Sequence, residues 1–134
     1  MATVQRFEDL EIWKLLRTLS NKIYPLTFIQ PICDDFRLKD QLRGSCGSIM
    51  DNIAEGFERG SKLEFINALT TAKGETGELK SQPYRTLDNK YISEKLFEEL
   101  YNLADQLTKM ITSFNNYLNK SKIRGQKFKN RVNA

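Results

Sequence analysis

The chain has 134 residues, 40% of them apolar, 28% charged and 10% aromatic, with a formal net charge of +4. That size and balance suit one soluble domain with a filled core, and no apolar run approaches the roughly 18 residues of a membrane span. Histidine is absent, which removes the commonest general base, every Ser-His or Cys-His nucleophile pair, and the partners that Cys33 and Cys46 would need to hold zinc.

The first helix is expected over about 9–28, with Ile12, Leu16, Leu19, Ile23 and Leu26 on one stripe and Trp13 beside it. Pro25 falls late in this stretch, so the last turn should bend or stop there. IQPICDD reads as a loop whose Asp34 or Asp35 caps the next helix. That second helix is expected over 36–58, where Leu38, Leu42, Cys46, Ile49, Ile53 and Phe57 recur at steps of three or four. Gly60 can close it in the left-handed conformation, and Ser61 with Glu64 forms a capping box for a third helix over 61–87. So quick a stop and start makes these two helices an antiparallel hairpin.

Phe65, Leu69, Ala72, Thr76 and Leu79 carry the third stripe. Gly74 and Gly77 interrupt it, each at a cost of about 1 kcal/mol relative to Ala, which predicts a neighbouring helix pressed close against them. Pro83 should kink this helix without ending it. Ser93 caps a fourth helix over 93–119, striped by Leu96, Leu100, Leu103, Leu107, Met110 and Phe114. No stretch alternates in the manner of a strand. Residues 1–119 are therefore expected to form an all-α, antiparallel up-down four-helix bundle.

Residues 120–134 have no periodicity and read as a flexible C-terminal tail. They hold Lys120, Lys122, Arg124, Lys127, Lys129 and Arg131 and no acid, so the remaining chain carries 15 basic against 17 acidic residues. A mildly acidic body with a cationic tail points to an anionic partner, nucleic acid ahead of a membrane surface. Phe128 lies between Lys127 and Lys129, and a ring so placed can stack on an unpaired base. No secretory signal is visible, which makes the cytoplasm the expected compartment.

The most particular stretch is SIMDNIAEGFERGS, residues 48–61. Asn52, Glu55 and Arg59 interrupt its apolar beat, and Arg43 lies upstream. Their carboxylate, amide and guanidinium groups can satisfy one another and fix helices two and three. The competing readings are a ligand contact, catalysis, or a carboxylate-only metal site in which Glu55 faces Glu75 and Glu78. Mutual satisfaction is the preferred reading: no catalytic residue, metal site or cofactor is expected.

QLRGSCGSIMDNIAEG, at Gln41 to Gly56, followed by FERGS, resembles the signature of the bacterial four-helix bundle family of 23S rRNA intervening-sequence proteins. FEDLEIW, FINALTTAKGETGEL and YIS are similar to further parts of its pattern, over about residues 7–120. Gln41, Ser48, Asn52, Glu55, Gly56 and Arg59 fit the motif, as do Gly74 and Glu78. The chain departs from it at Gly44, Ser45, Met50 and Pro83. The resemblance implies a homopentameric ring of bundles without enzymatic activity. A related branch serves diversity-generating retroelements as an accessory protein for a reverse transcriptase and its RNA. The expected function is a ring-forming, non-enzymatic adaptor that binds RNA or a ribonucleoprotein through basic surface and tail. The alternative is a protein-binding accessory module that recruits a partner such as a reverse transcriptase without touching nucleic acid.

Overall fold

Four helices, α1 (Glu11–Ile23), α2 (Phe36–Glu58), α3 (Lys62–Asp88) and α4 (Glu94–Lys120), make up the protein in a computed structural model that describes residues 4–120. Short 3-10 turns at Phe7–Asp9, Tyr24–Phe28 and Ile32–Asp34 fill the approaches to α1 and α2. Among the described residues there is no strand.

The caps sit where short polar side chains meet orphan amides. The Asp35 carboxylate accepts from the Leu38 N–H at 3.2 Å, Ser61 from the Glu64 N–H at 3.3 Å, and Ser93 from the Leu96 N–H at 3.1 Å. Gly60, at φ 77°, turns the chain between α2 and α3 in a conformation that costs other residues a Cβ clash. At its far end α1 stops at Ile23, five residues short of the expected boundary. Pro25 has no N–H to give the Asn21 carbonyl, and the chain tightens into the 3-10 turn instead. α3 runs through Pro83 without a break, with the ring buried.

Hydrogen bonds across the seams fix the direction of each helix. Gln41 meets Arg85, Asn52 meets Glu75 and Arg59 meets Glu64, so numbers rise on α2 as they fall on α3. Thr70–Asn115, Thr76–Thr108 and Lys80–Asp105 run the same way between α3 and α4. The apolar stripes converge: Leu16 and Leu19 of α1, Ile49, Ile53 and Phe57 of α2, Phe65 and Leu69 of α3, and Leu107 and Ile111 of α4 lose essentially all exposure. Phe65 stands edge-on to Phe57 at 5.7 Å and to Phe114 at 5.6 Å, the preferred geometry for buried rings.

The glycines divide unexpectedly. A Cβ at Gly74 or Gly77 would meet nothing within 4 Å, so among the described residues no close neighbour presses on them as expected. Gly56 is the close approach: a Cβ on it would collide with the Ala68 Cβ across the α2–α3 seam.

Candidate functional site

The edge of α2 that faces α3 collects most of the polar motif, because Gln41, Ser48, Asn52, Glu55 and Arg59 recur at helical spacing. Glu75 of α3 is the hub. Its two carboxylate oxygens accept from the Ser48 hydroxyl at 2.9 Å and the Asn52 amide at 2.8 Å. Towards the start of α2, Arg85 donates to the Gln41 side-chain oxygen at 2.7 Å, and buried Gln82 donates to the Ser45 hydroxyl at 2.7 Å. Ser45 in turn donates to the Gln41 carbonyl at 2.7 Å. At the other end Arg59 bridges the hairpin, holding Glu55 at 3.0 Å and Glu64 at 3.2 Å.

Two hollows open along this seam. One, of about 280 Å³, is lined by residues including Asn52, Glu55, Gly56 and Arg59; the other, of about 200 Å³, lies beside Gln41, Gly44, Ser48 and Glu75. Arg59 is half exposed, and its guanidinium is held above its ordinary value, first by the hydrogen bond to Glu55, then by that residue's charge and by Glu64. The Glu75 oxygens already receive donors. Among the described residues no group of three or more carboxylates and thiols is placed to hold a metal ion. Cys46 is buried, and burial pushes its thiol up to about 12, so this residue offers no thiolate near neutral pH.

Arg43 corrects the expected cluster. It points away from α3, and its Nε donates to the buried Thr27 hydroxyl at 2.8 Å. Its guanidinium lies 4.4 Å from the Phe28 ring centroid and 5.2 Å from that of Tyr24. One turn earlier, Lys39 lies 4.8 Å over the Phe36 ring. Sequence reasoning missed this second edge of α2, although one signal was available: Tyr24, Phe28 and Phe36 all fall off the core stripes. Of the tail residues, Lys120 is the exposed last residue of α4. Lys122, Arg124, Lys127, Phe128, Lys129 and Arg131 lie outside the described residues.

Fold and seams together define an all-α helical protein in which Gln41, Ser48, Asn52, Gly56 and Arg59 of the motif meet α3, Glu55 holds Arg59 from within α2, and Arg43 turns elsewhere. Within that class, residues 8–113 match the model of the 23S rRNA-intervening sequence protein family, and the chain belongs to that family. Its fold is similar to that of a protein of unknown function from the S23 ribosomal protein family of Bacteroides thetaiotaomicron, known from a crystal structure. The two share 22% identity and a TM-score of 0.69, over 78% of this chain and 97% of that one. No curated protein matches the chain. Among the described residues no helix is long and apolar enough to cross a membrane.

Proposed function

We propose that the protein is a non-enzymatic, ring-forming helical adaptor that binds RNA, or an RNA-containing complex, through its basic tail. The observation that carries this reading is the partition of charge. Residues 4–120 hold 16 of the 21 basic residues and all 17 acidic ones, while the five remaining cations come after α4 with no acid among them. Lysines and arginines of that kind displace counterions from a phosphate backbone. The ring is the assembly that the family resemblance implies; in a pentamer, tails of six cations each, counted from Lys120, would bring about thirty charges together and raise avidity without new contacts.

The test is salt-dependent binding of labelled RNA by the full chain and by a variant with Lys122, Arg124, Lys127, Lys129 and Arg131 replaced by Gln. The variant should lose most of the affinity, and the slope of log K against log salt should fall by roughly 3 to 4 for each tail engaged on a single strand. Unchanged affinity and slope would overturn the reading. The alternative, a protein-recruiting module, draws support from the half-exposed Tyr84, whose ring lies 4.7 Å from Phe97 and 5.7 Å from Tyr101. Under that alternative the same variant keeps its partner.

A further inference from the structure

The outer face where α1 and its C-terminal 3-10 turn meet α2 combines exposed rings with cations. Tyr24, Phe28 and Phe36 are 46%, 61% and 69% exposed there. Phe36, Lys39 and Arg43 stand at i, i+3 and i+7, one row of α2. Arg43 covers Tyr24 and Phe28, and Lys39 covers Phe36. On α1, the bond from the Trp13 Nε1 to the Met50 carbonyl, at 3.2 Å, shows which side is turned to α2. Arg17, exposed, lies one turn further along that side, between Trp13 and Tyr24.

These cations lack anionic partners. Among the described residues, no carboxylate lies within ion-pair distance of Arg17, Lys39 or Arg43, whereas Arg59 on the opposite edge of α2 has two. The nearest acid, exposed Asp40, stands about 100° round the helix from Lys39 and about 60° from Arg43, on the water side of the row, and pairs with neither. A cation laid on an exposed ring gains cation–π attraction, yet its charge stays uncompensated and the ring keeps its other face in water. A purely apolar partner would desolvate those charges without offsetting them. A phosphate strand supplies the anions, and unpaired bases supply surfaces for the rings. A duplex keeps its bases stacked on each other and offers the rings nothing.

We propose that the α1–α2 face binds single-stranded nucleic acid, with phosphates pairing to Arg17, Lys39 and Arg43 and bases stacking on Phe28 and Phe36. This extends the RNA-binding reading from the tail to the folded body, and the two can fail separately. The experiment compares binding of a short fluorescein-labelled oligouridylate, and of a duplex of equal length, by the full chain and by a Phe28→Ser, Phe36→Ser double variant. Both rings are exposed, so the fold should survive, as the emission of the lone Trp13 and the melting curve can verify. Each lost ring should weaken single-strand binding about tenfold and leave duplex binding and the salt slope nearly unchanged.

Single-strand affinity equal to that of the parent would overturn the proposal. A double variant of altered native mass would overturn it too, by showing that the face joins copies of the chain. If neutralising the tail abolishes binding while the ring replacements change nothing, the tail reading stands and this one falls. If the parent binds neither probe, both fall.

Discussion

The two edges of α2 use their polar side chains in opposite ways. Towards α3, Ser48 and Asn52 converge on one carboxylate, Arg59 takes two, and Gly56 lets the backbones touch. Towards α1, Arg43 and Lys39 lie on exposed rings and, among the described residues, form no ion pair. An edge whose groups already satisfy one another has little left to offer a ligand, however much its residues look like a site. The other edge holds cations and rings that still lack complements, and there an outside molecule gains most.

On this contrast, damage to the α3 edge should cost stability and damage to the α1 edge should not. The largest effect should come from Gly56→Val, which forces α2 and α3 apart; about 3 kcal/mol of overpacking is expected in urea melts, with partial rescue by Ala68→Gly. Ser45→Ala should cost about 2 kcal/mol by the same measurement, because it strips the buried Gln82 amide of its acceptor. Asn52→Ala should cost about 1 kcal/mol, since Glu75 keeps Ser48 and can reach water. Phe28→Ser and Phe36→Ser should stay within about 0.5 kcal/mol of the parent. A loss from those ring variants as large as that from Ser45→Ala would erase the contrast.

Glu55→Ala belongs with the small effects. Glu55 and Arg59 are both more than half exposed, so the shift in melting temperature should appear at low salt and vanish at high salt. The α3–α4 seam gives a control with a defined pH sign. A hydrogen bond from Lys109, helped by Lys80, holds the Asp105 carboxyl below the usual carboxylate range. Its contribution is therefore fully present above the unfolded value near pH 4 and is lost as pH falls through the lower folded value. Asp105→Asn should be less stable than the parent near neutrality, and the two curves should converge in acid.

Much of the bundle was legible from spacing. Ile12, Leu16, Leu19 and Ile23, or Leu69, Ala72, Thr76 and Leu79, are buried because a period of 3.6 leaves only one face for the core. Ser61, Ser93 and Asp35 were readable as caps for an equally local reason. Partners across a seam were not. Periodicity puts Arg43 and Asn52 on α2 but does not say which neighbour each edge meets, and the partner of Arg43, Thr27, lies in a turn that was expected to be helix. The glycines fail in the same way: only the register of α2 on α3 distinguishes Gly56, pressed against Ala68, from Gly74 and Gly77 in open space.

Whether copies of the chain form a ring that gathers nucleic acid is decided by native mass from light scattering, with absorbance at 260 and 280 nm recorded across the peak at low and high salt. The expected result is a pentamer that carries nucleic acid at low salt and sheds it at high salt while the protein mass holds. A monomer without nucleic acid at low salt would contradict it.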